Sequence, residues 1–462
     1  MILRRIIHLI ASQWIAASAK SAIMKAAAAG DCPGRGILSG RGALYTAPRG
    51  THDILPEEWP YWRTIIDEIH ATAARFGFEQ IDTPIFEATS LFVRGVGQGT
   101  DIVDKEMYSF RDKGGEEITL RPEFTAGVMR AYLENGMHVR PQPVKLYSIG
   151  PIFRFERPQA GRYRQHHQFN VEVIGEQDAA VDAEVISLAW HLFSRLGFRG
   201  LALQLNSTGC PRCRPGYLTE LVAYYHQHTA AICDDCRRRL QRNPLRLLDC
   251  KNAGCQPIIA GAPRIGEHLC EECASHFADL RSHLDAIELP YTLNHRLVRG
   301  LDYYTKTVFE VYAEGIGAQA AVCGGGRYDG LIEELGGPPT PGIGFGSGIE
   351  RQILTMKEQG IAPKPLPQPA LFIAHLGEAA RLAAFRLARE LRDAGLAARL
   401  SFGERSLKAQ LKAADRTGAR YALILGEDEV KAEVVAVRDL RSSSQQAVAR
   451  ADLIDWLRAR LA

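Results

Sequence analysis

Ten cysteines occur in the 462 residues of this chain, and eight of them fall between Cys210 and Cys273. They form four close pairs: Cys210-Pro-Arg-Cys213, Cys233-Asp-Asp-Cys236, Cys250-x4-Cys255 and Cys270-Glu-Glu-Cys273. Thiolates separated by two or four residues have the spacing of tetrahedral zinc ligands, and eight of them suffice for one or two Zn2+ sites. Free structural or redox-sensitive thiols are the competing reading. Disulfides fit less well. A chain of this size with no other secretory feature is expected in the cytoplasm, where thiols stay reduced.

A second set of chemically capable residues sits in a predicted β-hairpin. Arg154 and Glu156 share one strand face. On the returning strand Gln168, Asn170 and Glu172 alternate with Phe169, Val171 and Val173, which puts the polar side chains on one face and the apolar ones on the other. Arginine stays protonated and meets anionic oxygens with a planar fork, while carboxylates and amides suit an ammonium or a hydrogen-bonding ring. A solvated sheet face would give the same alternation. The run Gly324-Gly-Gly-Arg-Tyr-Asp-Gly330 lacks the Gly-Lys-Ser/Thr ending of a P-loop and has no dinucleotide spacing. Its glycines suit close backbone approach to a ligand or a neighbouring strand, or plain turns.

Several elements must position these groups. After Pro56, the residues Trp59, Trp62, Ile66, Ile69, Ala73 and Phe76 recur at steps of three and four, which predicts a helix ended by Gly77. Phe78 to Thr83 reads as a strand, with Pro84 marking an edge or a bulge. Val144 to Phe155 and His167 to Ile174 read as antiparallel strands around a basic loop, Arg157 to Gln165. The cysteine-bearing stretch has a helical, arginine-rich texture and interrupts the β-rich core. Strand signal resumes at Thr307 to Tyr312, and the glycine runs Gly324–Gly326 and Gly342–Gly348 bracket another helix. Past the Pro-rich segment Pro363-Lys-Pro-Leu-Pro367, strands at Ala370–His375, Tyr421–Leu425 and Ala432–Val437 alternate with helices at Glu378–Ala394 and Ala451–Leu461, a compact α/β pattern.

Composition agrees with a globular, multidomain chain: 46% hydrophobic residues, 24% charged and a formal net charge of +3. Neither a disordered nor a strongly nucleic-acid-like charge balance is present, although local basic patches remain open. The first 44 residues carry six basic side chains against the single acid Asp31. A signal peptide, an organellar transit peptide and an upstream extension, with Met24 as a second start, all fit; the extension is favoured. His8, Ser12 and Gln13 break its apolar run, so no membrane span is expected. The expected organisation is an extension without order over residues 1–45, a core in two parts (46–208 and 286–362), a helical insertion (209–285), a linker (363–368) and a final domain (369–462).

Several segments together carry a resemblance. Gly150-Pro-Ile-Phe-Arg154-Phe-Glu156 through Gln168 is similar to motif 2 of class II aminoacyl-tRNA synthetases in their histidine-specific branch. Leu297-Val-Arg299-Gly-Leu-Asp-Tyr303-Tyr304-Thr and Gly325-Gly-Arg-Tyr-Asp-Gly-Leu331 resemble the two histidine signatures, and Gly344-Phe-Gly-Ser-Gly-Ile-Glu-Arg351 resembles motif 3. Phe78 to Glu87 resembles motif 1, which supports a homodimer interface in this class. The resemblance implies an α+β catalytic core built on an antiparallel sheet, with an inserted helical subdomain and a C-terminal α/β anticodon-binding domain.

It also implies roles. Arg154 and Arg299 would act on the ATP α-phosphate, Glu156 beside the adenine and Arg351 at the γ-phosphate. Glu123, Phe124, Thr125, Gln168, Glu172, Arg299, Tyr303 and Tyr304 would hold L-histidine. Gln159, Arg162 and Arg164 would face the acceptor end of the tRNA. The substrates would be histidine, ATP with Mg2+, and the tRNA specific for histidine. Activation joins a carboxylate to a phosphate, so both reactants are anionic and arginines on rigid strands are what the step requires. Two other classes compete. Synthetase-like regulatory subunits of ATP phosphoribosyltransferase resemble the same core but lack the anticodon domain, whereas a pure RNA-binding protein leaves the phosphate-directed arginines unexplained.

Overall fold

The computed structural model describes residues 45–97, 100, 102–156, 163–301, 303–315 and 321–461. Residues 1–44, nearly all of the expected N-terminal extension, lie outside them. Residues 45–53 belong to a unit of their own, with one turn closed by Thr51 N–H donating to Pro48 O at 3.0 Å.

From Ile54 onward the strands are, in chain order, β1 (Glu79–Gln80), β2 (Phe86–Ala88), β3 (Tyr108–Arg111), β4 (Glu117–Leu120), β5 (Val144–Phe153), β6 (Gln165–Ile174), β7 (Ala202–Ser207), β8 (Tyr291–Leu293), β9 (Thr305–Tyr312), β10 (Ala321–Arg327), β11 (Gly342–Gly348), β12 (Leu371–His375), β13 (Ala398–Leu400), β14 (Tyr421–Leu425), β15 (Val434–Asp439) and β16 (Gln445–Ala449). Eight of them form one sheet in the order β1-β5-β6-β11-β10-β9-β7-β8. The six central strands are antiparallel, and only the short outer strands β1 and β8 pair in parallel. A separate small sheet has the order β2-β4-β3.

Period-two alternation decides which face of the large sheet is covered. Phe169, Val171 and Val173 of β6 join Leu203 and Leu205 of β7, Phe309 and Val311 of β9 and Phe345 of β11 in one core. Helices Trp59–Arg75, Ala179–Arg195, Glu271–Ala286 and Ile349–Glu358 supply its other half, through residues such as Ile65, Ile69, Ile186, Leu280 and Met356. The opposite face keeps Gln168, Asn170, Gln204, Glu310 and a row of glycines.

Three expectations change. The segment Phe78–Thr83 forms a strand at Glu79–Gln80 alone, with Ile81 N–H still donating to Tyr147 O at 2.9 Å, because the chain leaves the large sheet before Pro84 and enters the small one at Phe86. The two glycine runs are strands, β10 and β11, paired to each other and flanking the short helix Leu331–Glu334; for Gly324–Gly326 the turn alternative fails and close approach to a neighbouring strand holds. The last helix of the insertion, Glu271–Ala286, buries Leu280 and Leu284 in the core against the large sheet, while the rest of the insertion has a core of its own around Tyr217, Leu221, Tyr225 and Leu247.

Beyond the Pro-rich segment a second sheet runs β13-β12-β14-β15-β16, parallel through the first three strands and antiparallel after. Strand β16 and the helix Leu407–Arg416 complete this domain. Lys408, Lys412 and Arg416 form an exposed basic row on that helix. No helix among the described residues is long and apolar enough to cross a membrane.

Candidate active site

The uncovered face of the large sheet forms the floor of a cleft of about 1130 Å³. Its polar lining includes Glu123, Thr125, Arg154, Glu156, Gln168, Arg299, Tyr303, Tyr304 and Arg351. Residues spread over more than two hundred positions of sequence thus converge.

The glycines explain how they fit. A β-carbon on Gly324 would stand against the Arg299 guanidinium, one on Gly326 would lie 2.9 Å from the Tyr304 ring, one on Gly344 would be 2.8 Å from Glu172 Cδ, and one on Gly346 would be 2.8 Å from Gln168 Cδ. Each functional side chain lies over a strand position that has no side chain. Any other residue there would displace it.

Arg299 donates from Nη1 to Glu310, and its Nε is buried with no hydrogen-bond partner among the described residues. A buried donor without a partner is costly unless a ligand supplies an acceptor. Burial lowers the Arg299 pKa, but Tyr304 and Glu310 together raise it further than burial lowers it, so the guanidinium stays charged. Arg154 is anchored by Nε donating to Pro122 O at 2.8 Å. Arg351 is anchored by Nη1 donating to Ala321 O at 2.8 Å. Each arginine is therefore anchored while it lines the cleft.

The acidic end of the cleft is built around a helix start. Glu123 accepts from the N–H groups of Thr125 at 2.5 Å and Ala126 at 2.9 Å, at the N-terminus of helix Thr125–Glu134. Burial raises its pKa, while those amides and Arg154 oppose the rise. Glu172 is fully buried just behind the lining. It accepts from Thr125 Oγ1 at 2.5 Å, from Asn170 Nδ2 at 2.8 Å and from the Tyr328 hydroxyl. Burial pushes its pKa up to about 8. Tyr303 stacks obliquely on Tyr304, with ring centroids 4.8 Å apart, and meets Tyr328 edge-on at 5.8 Å.

Some expected residues stand elsewhere. Phe124 does not line the cleft. The chain enters the helix there, turning the ring into the core, where it is 1% exposed with the Arg121 guanidinium 4.2 Å from its centroid. Glu172 reaches the cleft only through Thr125, Asn170 and Tyr328. Arg164 lies over the Phe155 ring, 3.9 Å from guanidinium carbon to centroid, and is not part of the lining. Gln159 and Arg162 lie outside the described residues.

Other lining residues went unnamed as site residues. Asn170, Gln204, Glu310 and Tyr312 could have been found from strand alternation, and Tyr328 stands within a quoted signature. Glu350, one residue before Arg351, accepts from His167 N–H at 2.8 Å. His166 also lines the cleft, and burial together with Arg154 pushes its pKa down to about 4, leaving it neutral near pH 7.

The cysteines gather into two quartets. The sulfurs of Cys210, Cys213, Cys270 and Cys273 all lie within 4.8 Å of one another, and so do those of Cys233, Cys236, Cys250 and Cys255. Separations are 3.7 Å for Cys210–Cys213 and Cys210–Cys270, 3.9 Å for Cys213–Cys273 and 3.8 Å for Cys233–Cys250. Sulfurs at about 2.3 Å from a tetrahedral zinc stand about 3.8 Å apart, whereas a disulfide needs about 2.05 Å. Backbone N–H groups of Cys210, Cys233 and Asn252 donate to sulfurs at 3.2, 3.3 and 3.4 Å. The donor set fits a thiophilic metal in both places.

A family profile described as histidyl-tRNA synthetase matches residues 50–213 and 245–351, and one described as an anticodon binding domain matches residues 370–460. A histidine–tRNA ligase of Dehalococcoides mccartyi is 53% identical over 411 residues, covering 89% of this chain and 98% of the relative. One from Desulfitobacterium hafniense is 54% identical over 398 residues, covering 86% of this chain and 94% of the relative. Among solved structures, the apo S. aureus histidyl-tRNA synthetase superposes with a TM-score of 0.75 at 38% identity, over 89% of this chain and 99% of that one.

Proposed function

This chain belongs to the histidyl-tRNA synthetase family, and on that premise we propose that it activates L-histidine with ATP and transfers it to the 3′ end of a tRNA. The histidine carboxylate attacks the α-phosphorus of ATP, which enters with Mg2+. A carboxyl–phosphorus bond forms, the bond from the α-phosphorus to the bridging oxygen breaks, and pyrophosphate leaves. A terminal hydroxyl of the tRNA then attacks the carbonyl of the adenylate, and AMP departs. The first step needs no strong base, since the attacking carboxylate is ionised at neutral pH. Its obstacle is charge, and fixed cations aimed at the phosphates lower it.

Arg299 and Arg154 are assigned to the α-phosphate, Arg351 to the γ-phosphate and Glu156 to the adenine side. Glu123, Thr125, Gln168, Tyr303 and Tyr304 are assigned to histidine, with Glu172 acting from behind Thr125 and Tyr328. Phe124 supports that pocket from the core. A pocket with polar partners rejects amino acids that cannot hydrogen-bond to it, because those partners would be left buried and unpaired. Gln159, Arg162 and Arg164 are assigned to the tRNA acceptor end, and the domain 369–462 to the anticodon. The remaining boundaries follow the sequence reading, and a homodimer through the motif 1 region completes it.

The observation that carries this reading is the meeting of Arg154, Arg299 and Arg351 in the cleft that also contains Glu123, Gln168 and the two tyrosines. The regulatory-subunit alternative loses ground because the C-terminal match spans residues 370–460. Each cysteine quartet is assigned one structural Zn2+, and stable thiolates favour a cytoplasmic location. Histidine-dependent exchange of pyrophosphate into ATP tests the activity. Metal analysis finding about two zinc ions per chain supports the quartets, while well under one removes them.

A further inference from the structure

The two quartets occupy different places. Cys210 and Cys213 follow β7, and Cys270 and Cys273 begin the helix Glu271–Ala286, whose His276 hydrogen-bonds Asp182 at 2.9 Å and whose Leu280 is in the catalytic core. This quartet fastens the two ends of the insertion to the core. The other quartet lies wholly within the insertion, and its Cys250 lines the cleft together with Arg246, Asp249, Lys251 and Gln256.

That stretch has little regular structure to fix it. Between helix Asp234–Arg242 and the five-residue helix Gln256–Ala260 it has two single 3-10 turns, Pro244–Leu247 and Ala253–Cys255. Gln256 Nε2 donates to Cys250 O at 2.7 Å, Arg239 Nη1 donates to Arg246 O at 3.2 Å, and Arg296 donates to Gln256 Oε1. A β-carbon on Gly300 would lie 3.3 Å from Arg246 Nη1, so the stretch abuts the segment that carries Arg299. The family profile leaves residues 214–244 unmatched, and these contain Cys233 and Cys236.

We infer that a metal ion held by Cys233, Cys236, Cys250 and Cys255 positions this wall of the cleft and presents Arg246 and Lys251 to a phosphate-bearing ligand. The inference rests on the zinc reading above. Leu247 and Leu248 seat one end of this stretch in the insertion's own core, the residues that follow them carry the metal-spaced thiols, and a ligand contact made by a loop is only as good as the shell that holds the loop. The phosphate belongs either to ATP or to the RNA backbone, and kinetics separates the two.

The test uses the full chain with Cys233→Ser and Cys236→Ser combined, neither residue being part of the lining. Zinc should fall from about two ions per chain to about one, and amide exchange over residues 244–256 should accelerate. The KM for ATP in the exchange reaction, or for tRNA in aminoacylation, should rise about tenfold with kcat changed less than about twofold. Loss of one zinc with both KM values unchanged overturns the inference. A wild-type chain without zinc overturns the metal reading and this inference with it. As a control for folding, Arg246→Ala with Lys251→Ala should keep both zinc ions and raise the same KM. An unchanged KM there also overturns the inference.

Discussion

The Arg299 guanidinium occupies the space that a side chain on Gly324 would fill, with Cζ 2.7 Å from the position of a β-carbon there. Gly324 lies in β10 and Arg299 in the loop before β9, so a glycine in one segment sets the reach of the cation in another. Gly324→Ala should therefore push Arg299 off its site with little loss of fold. Single-turnover adenylate formation should drop by about tenfold or more, while thermal unfolding shifts by only a few degrees. Unchanged single-turnover kinetics would disconnect the two residues.

How much of this was legible depends on which physical signal each residue carries. Gln168 and Glu172 stood out because β6 alternates strictly against a buried face. The glycine strands did not, since glycine has low strand propensity and the same runs suit turns; only the arginine and tyrosine lying across them explain why they are strands. The zinc-like spacing was readable, but the division of eight cysteines into two quartets depends on the path of the insertion. Arg246 and Lys251 gave no signal at all, because their loop reaches the cleft only through tertiary placement. Phe124 shows the opposite failure: it shares a segment with Glu123 and Thr125, but the start of the helix turns its ring into the core.

Removing Arg299 itself tests its assigned charge. Arg299→Ala should lower the activation rate about 10²- to 10³-fold, with a smaller change in histidine KM. Rapid-quench measurement of adenylate formation decides it. A near-normal rate removes Arg299 from the transition state.

Glu172 predicts a pH dependence. Its folded pKa is raised to about 8 from an ordinary value of 4.5, mainly by burial. Below 4.5 both folded and unfolded chains hold the proton. Between 4.5 and 8 only the folded chain holds it, so the contribution to stability is lost as pH rises through that window and is flat above it. Glu172→Gln stays neutral throughout. Urea unfolding from pH 6 to pH 9 should therefore cost the natural protein on the order of 1–3 kcal/mol more than the variant. Parallel pH profiles would mean that Glu172 is ionised in the fold.

The second histidine signature also contains a structural arginine. Arg327 is fully buried and donates from Nε to Asp182 Oδ1 at 3.0 Å and from Nη1 to Asp329 Oδ1 at 3.1 Å and to Glu176 O at 3.0 Å. Asp182 also accepts from His276 of the insertion's last helix. Asp182→Ala leaves a buried cation short of its main partner and should destabilise the core by about 3–5 kcal/mol. Denaturant unfolding of the catalytic core measures this, and a loss below about 1 kcal/mol would show that the pair is dispensable.

The cleft is assigned to select histidine and join it to ATP. Pyrophosphate exchange into ATP, run with the purified chain, Mg2+ and each of the twenty amino acids in turn, tests it most directly. Histidine alone should support exchange above background, and Arg299→Ala should abolish most of that signal. Exchange with a different amino acid, or none with histidine, would remove this assignment from the cleft.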